Sequence, residues 1–438
     1  MLQAAFSRVV RQGSLEVLTP SGARLTFGDG TAPHVTLRLA DERAIWVLLL
    51  DPELRLGELY MDGRLDVERG SIYELLDLLL RDAGGARSFF RFHPFKAIRE
   101  LRWRLAPANT AARAQRNVAH HYDLDGRLYD LFLDADRQYS CAYFEYPDQS
   151  LDEAQKAKKR HIASKLRVRP GHRVLDIGSG WGGLAQYLVE TARAGEALGV
   201  TLSHEQLAYS RERVEKAGLS ERVRFALQDY RKVEGTFDRI VSVGMFEHVG
   251  WASYGAFFQT CARLLADDGV MLLHTIGRTG EPCGPNPWIT RYIFPGGHIP
   301  TLSEIAPVLE RSGLALTDLE VLRLHYALTL RAWRERFLSR RDEAARLYDE
   351  RFCRMWEFYL AAFEAAFRLE DLVVFQLQLT KRNDILPLQR NYMIQEEVAL
   401  KEWDARSHRT VGEAPAQPSR IGAQREASAA APPRQYDP

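Results

Sequence analysis

From residue 173 to residue 276, short apolar runs alternate with stretches whose apolar side chains recur every three or four positions. The runs 173–178, 197–202, 222–227, 237–245 and 270–276 have strand length and end in turn residues. Between them, Leu184, Tyr187 and Leu188 begin one helical face, and Tyr254, Phe257, Phe258, Cys261 and Leu265 mark another. Ser203 and Gln206 stand three apart, in the spacing of a capping box at a helix start. Strand–helix alternation of this kind predicts an α/β fold with a mostly parallel sheet covered by helices on both faces. Two further strands, near 315–321 and 372–380, complete the sheet. A helical insert between them carries Trp333, Phe337, Phe352, Trp356 and Tyr359.

Upstream the pattern differs. The runs 15–18, 23–27 and 34–39 partly alternate, and 71–80 is apolar enough for a buried helix, which predicts a small α+β module. Domains are therefore expected at 1–105 (α+β, lipid- or membrane-associated) and 106–404 (catalytic). Residues 405–438, rich in Ala, Pro, Ser, Arg and Gln, read as a disordered tail.

The strand at 173–178 runs into Gly178, Gly180, Gly182 and Gly183 and then into a helix, the context of a nucleotide-binding loop. The spacing also satisfies GxGxxG, so the glycines alone would admit NAD. Two features favour S-adenosyl-L-methionine (SAM). Asp176 precedes the first glycine by two residues, where its carboxylate can meet the ammonium of a methionine moiety. No acidic residue ends the second strand, where an NAD site places one for the ribose; Thr201, Leu202, Ser203 and Gln206 stand there instead, and Gln206 can bond a ribose. After the third strand, Gln228, Asp229 and Tyr230 suit an adenine edge and face.

The chain has 438 residues, 46% of them hydrophobic and 27% charged, which is enough to build two cores. The net charge of +1 argues against a dedicated nucleic-acid binder. The charge is locally uneven: 81–117 holds nine Arg/Lys, among them Arg91, Lys96, Arg99 and Arg102, against Asp82 and Glu100. Phe89, Phe90, Phe92, Phe95 and Trp103 are interleaved with them. This connector reads either as a solvated linker or as a contact with anionic head groups. The four cysteines form no CxxC pair, which speaks against a zinc ribbon and for a reducing cytoplasm. The longest apolar run, 44–50, is far too short to span a bilayer, and no signal peptide is evident.

Seven runs standing in order give the chain its resemblance: 119–124 (Ala-His-His-Tyr-Asp-Leu), 138–143 (Gln-Tyr-Ser-Cys-Ala-Tyr), 174–183, 199–203, 237–250 (ending Phe-Glu-His-Val-Gly), 272–277 (Leu-Leu-His-Thr-Ile-Gly) and 292–297 (Tyr-Ile-Phe-Pro-Gly-Gly). From residue 119 to about 381 the chain resembles the cyclopropane-fatty-acyl-phospholipid synthase family, which includes the mycolic acid cyclopropane synthases. The run 325–330 is also similar, and the region before 105 resembles the N-terminal domain of the phospholipid-acting members. The resemblance implies a Rossmann-like class I SAM-dependent methyltransferase that adds a one-carbon bridge across a double bond of a phospholipid acyl chain. It implies a bound bicarbonate as base, cradled by Cys141, Glu247, His274, Ile276 through its backbone, and Tyr359. It also implies SAM-shell roles for Tyr139, Ser140 and Trp181. Expected with it are peripheral contact with the inner membrane face from the cytoplasm and a homodimer among the assemblies. Alternative products are a methyl or methylene branch; alternative functions are amine methylation and non-catalytic lipid binding.

Overall fold

The computed structural model describes residues 2–81, 95, 98–100, 103 and 125–412. The N-terminal module comprises α1 (Leu2–Val9), β1 (Ser14–Leu18), β2 (Arg24–Gly28), β3 (His34–Leu39), α2 (Glu42–Leu50), α3 (Pro52–Met61), β4 (Leu65–Arg69) and α4 (Ile72–Arg81). Its sheet order is β2-β1-β3-β4, with β1 and β3 parallel. The three strands read from the sequence and the helix at 71–80 are present within a residue or so. Helices α1–α3 and strand β4 add to that reading.

The second unit contains α5 (Gly126–Phe132), α6 (Leu151–Leu166), β5 (Arg173–Ile177), α7 (Gly183–Glu190), β6 (Glu196–Thr201), α8 (His204–Lys216), β7 (Val223–Leu227), β8 (Phe237–Val243), α9 (Tyr254–Leu264) and β9 (Leu265–Arg278). It continues with α10 (Pro287–Tyr292), α11 (Leu302–Leu309), β10 (Ala315–Leu322), α12 (His325–Ser339), α13 (Arg341–Leu347), α14 (Glu350–Leu369), β11 (Leu372–Thr380) and α15 (Asn391–Gly412). The seven-stranded sheet runs β10-β11-β9-β8-β5-β6-β7. Strands β5 to β9 are mutually parallel, and β11 is antiparallel to both its neighbours. All seven strands of this sheet were legible in the sequence.

Alternation along the strands divides the core into layers. Met271 and Leu273 pack with Phe257, Phe258 and Ile305 on one face, while Leu272 packs with Ile162, Leu188 and Val214 on the other. Chain order reverses between β5 and β8, so a crevice opens beyond their carboxyl ends, where open α/β sheets bind ligands.

The N-terminal module packs on α14 through α3 and α4. Trp288 of α10 fills this junction: its indole meets Phe358 at 4.7 Å between ring centres and donates to the Met61 sulfur at 3.3 Å. At Gly57 a Cβ would fall 2.4 Å from the Trp288 indole nitrogen, so glycine is what lets α3 approach.

Of the connector residues singled out in the sequence, Phe95, Arg99, Glu100 and Trp103 are among the described residues. Arg99 is held by Asp51 and Glu53 at 2.9 and 2.8 Å, so its charge is already met within the protein. Trp103 stacks on His298 at 5.0 Å. Arg91, Lys96 and Arg102, like the 119–124 run, lie outside the described residues. Helix α15 continues to Gly412, into the segment expected as tail; 413–438 are outside the described residues.

Trp288→Ala is expected to lower stability by about 3–5 kcal/mol in chemical denaturation, because it empties a fully buried aromatic site. A loss below about 1 kcal/mol would show that the junction is not packed as described.

Candidate active site

Beyond β5, Gly178 turns with φ +81° and Gly180 with φ +53°. The N–H groups of Gly178 and Ser179 both donate to Val200 O, at 2.9 and 3.0 Å, which ties the loop to β6. Nothing stands within 4 Å of where a Gly180 Cβ would be, so the loop faces open space there. The cleft over this loop is lined by Tyr139, Ser140, Asp176, Gly178, Gly180 and Trp181. Thr201, Leu202, Gln206, Gln228, Asp229 and Tyr230 line it as well.

Two residues of the expected nucleotide set fall outside the lining. Gly182 caps α7 with φ +84°, where a Cβ would press to 2.8 Å on Phe225 and Ser210. Ser203 is fully buried and caps α8, its hydroxyl accepting the Gln206 N–H at 3.3 Å. Both shape the cleft without facing it. Gln206 Oε1 accepts from the Thr201 hydroxyl at 2.9 Å. Asp229 is bound to the Arg231 guanidinium at 2.9 and 2.6 Å, and Gln228 Nε2 donates to Lys232 O at 2.8 Å. These internal bonds tie the side chains of this wall to one another and to the backbone.

Asp176 is buried, and its Oδ2 has no hydrogen-bond partner among the described residues. Burial pushes its carboxyl up to about 7, with the Lys158 charge acting the other way. An unmet carboxylate oxygen fits the ammonium of a bound methionine moiety.

A second cavity, about 860 Å³ and largely apolar, adjoins the first. Tyr139, Ser140, Gly244 and His248 line both. Its walls come from the N-terminal module (Leu56, Leu76, Leu80), from α14 (Phe358, Phe363) and from the loop carrying Phe294. Cys141, Glu247, His274 and Ile276 all face this cavity.

The geometry differs from expectation at two of the five cradle residues. The Ile276 N–H already donates to Glu247 Oε1 at 2.6 Å, so this amide fixes the carboxylate and is not offered to an anion. Tyr359 does not line the cavity: its hydroxyl meets that of Tyr139 at 3.0 Å, one layer behind the wall. Besides Tyr139, the tyrosine on the wall is Tyr326, from the start of α12.

Glu247 Oε2 has no hydrogen-bond partner among the described residues, and burial pushes the carboxyl up to about 7. Burial and the nearby Lys158 and Lys165 charges hold His274 well below its ordinary range, so the ring is neutral. Burial also raises the Cys141 thiol, which keeps it protonated and unsuited to be a nucleophile. An acceptor at Glu247 and a neutral imidazole at His274 match an anion that carries its own hydroxyl, and bicarbonate is such an anion.

Sequence reasoning missed Lys158. It is fully buried, pulled down to about 8 by that burial, and donates at 2.7 Å to both Gln138 Oε1 and Ser140 Oγ. It thereby fixes the 138–141 segment between the two cavities. Arg137, which lies over the Trp181 ring at 4.9 Å, was missed as well. His248, unassigned in the sequence, is pushed down to about 4 by burial, so it is neutral where the cavities meet.

The mycolic acid cyclopropane synthetase family model matches residues 109–377, and a domain of unknown function (DUF7884) matches residues 1–91. The cyclopropane-fatty-acyl-phospholipid synthase of Escherichia coli K12 is 39% identical over 84% of this chain and 92% of its own. The tuberculostearic acid methyltransferase UfaA1 of Mycobacterium tuberculosis is 36% identical over 87% of this chain and 92% of its own. Among solved structures, the mycolic acid cyclopropane synthase CmaA1 complexed with SAH and CTAB superposes with a TM-score of 0.57 at 34% identity, covering 60% of this chain and 97% of that one. On these matches the chain belongs to the mycolic acid cyclopropane synthetase family.

Proposed function

We propose that the protein is a SAM-dependent C-methyltransferase acting on the double bond of an unsaturated phospholipid acyl chain, and that it closes a cyclopropane ring. The observation carrying this reading is the contact of the two cavities at Tyr139, Ser140, Gly244 and His248. A methyl donor seated over the glycine loop meets an apolar tunnel there.

Bound SAM supplies an electrophilic methyl group, and bound bicarbonate a base. The residues do the rest. Asp176 anchors the ammonium end and so sets where the methyl points. An alkene is a weak nucleophile, and the apolar cavity holds it in line and free of water. The cationic charge that develops on the acyl chain meets aromatic faces. Tyr139 stands at the boundary with Trp333 at 5.2 Å and Tyr129 at 5.5 Å between ring centres. Glu247 Oε2 would hold the anion as an acceptor, and His274 and Tyr326 would hold it as donors. Held there, the anion would supply the base for the proton whose loss from the transferred methyl lets the ring close.

Membrane contact follows from the substrate. Trp46 and Leu50, one turn apart on α2, are 51% and 55% exposed. That helix leads directly into Pro52 and Leu56 on the cavity wall. Among the described residues no helix is long and apolar enough to cross a membrane. The resemblance to a tuberculostearic acid methyltransferase keeps a methyl branch as the second reading.

Purified protein incubated with labelled SAM and dioleoyl phospholipid vesicles is expected to yield labelled cyclopropane fatty acids by chromatography. No labelled lipid would defeat the reading, and a branched product would select the second one. Glu247→Gln is expected to lower kcat by about 100-fold or more with SAM affinity unchanged. Tyr326→Phe should lower kcat by roughly tenfold and by more than Tyr359→Phe does; the reverse order would return the role to Tyr359. SAM affinity, measured by calorimetry, should fall as the pH drops below about 7. The ammonium binds the Asp176 carboxylate, and below its raised pKa of about 7 a proton must leave first. Asp176→Asn should abolish that pH dependence.

A further inference from the structure

Behind His274 the polar side chains form one connected row. His274 Nδ1 lies 3.1 Å from Gln376 Nε2, and Gln376 Oε1 accepts from Lys165 Nζ at 2.7 Å. Lys165 is ion-paired with Glu320. Glu320 also holds His161 Nε2 at 2.7 Å, and His161 Nδ1 reaches Glu397 at 3.1 Å. Gln376 stands opposite His274 in the register of β11 and β9, in a strand buried along its whole length.

A glutamine in such a strand is tolerated only if both ends of its amide are bonded. An ammonium has donors alone, so the carbonyl end must face Lys165 and the N–H end must face His274. The Nδ1 of His274 is then the acceptor. A neutral imidazole has one proton, and it must sit on Nε2. The amide does not relay protons as an acid or base would, so the row holds the ring in place and does not conduct.

We infer that Gln376, locked by Lys165, is a positioning residue that fixes His274 as its Nε2–H tautomer and so presents a hydrogen-bond donor to the anion in the acyl cavity. The inference rests on the role proposed above for His274.

Nitrogen-15 NMR of histidine-labelled protein reads the tautomer directly, with the His274 signals assigned by their loss in His274→Asn. The wild type is expected to show Nε2 protonated and Nδ1 bare. Gln376→Met, similar in size, should give mixed tautomers, a kcat about 10- to 100-fold lower, and a KM for SAM within about twofold of wild type. Gln376→Glu offers His274 only acceptors, so Nδ1 should become protonated. A wild-type ring protonated on Nδ1 overturns the inference, even if no variant folds. So does a Gln376→Met protein that keeps the pure Nε2–H form, a Gln376→Glu protein whose Nδ1 stays bare, or an unchanged kcat after the tautomer has shifted. Full activity of His274→Asn would instead defeat the role of His274, while the tautomer result would stand by itself.

Discussion

Removing a carboxylate oxygen from water without giving it a hydrogen-bond donor costs several kcal/mol, and two of the places where this fold does so lie at the carboxyl ends of its central strands. Asp176 Oδ2 and Glu247 Oε2 are both buried and unpartnered among the described residues. Each carboxyl is pushed up to about 7 by burial. Such oxygens are tolerated where a ligand meets them. One stands at the end of β5 over the glycine loop, the other just past β8, so the reversal of strand order between β5 and β8 brings them to one crevice. The arrangement of the rest of the molecule follows from keeping that crevice dry while admitting a long apolar chain.

Several elements share that task. Helix α6 supplies Lys158 to the segment between the cavities and Lys165 to the row behind His274. Helices α5, α12 and α14 supply the aromatic shell of Tyr129, Phe132, Trp333, Trp356 and Tyr359 around Tyr139. The N-terminal module closes the apolar side with Leu56, Leu76 and Leu80, and Trp288 locks it against α14. Both units therefore contribute walls to the large apolar cavity. The module that forms part of its wall also carries the exposed Trp46 and Leu50.

The parallel sheet was legible because buried strands leave apolar runs that end at turns, and the glycine loop was legible because its context is local. Asp176, Glu247 and His274 stood out as polar residues in or beside such runs. Harder to read were side chains whose meaning depends on rotation and depth. Helix α6 looks like a solvated charged helix, yet Lys158, Arg160, His161 and Lys165 are buried in it. Tyr326 and Tyr359 lie on neighbouring helices of similar aromatic content, and only packing decides that Tyr326 faces the cavity. The Ile276 amide could not be assigned without knowing that Glu247 reaches it across 2.6 Å.

The central claim is that a proton is taken from the transferred methyl group and that the ring then closes. Turnover of dioleoyl vesicles with SAM carrying a trideuterated methyl tests it directly. The account predicts a ring carbon that retains two of the three deuterons, resolved by mass spectrometry and NMR of the fatty acids. A product that keeps all three deuterons on an unclosed methyl group would contradict it.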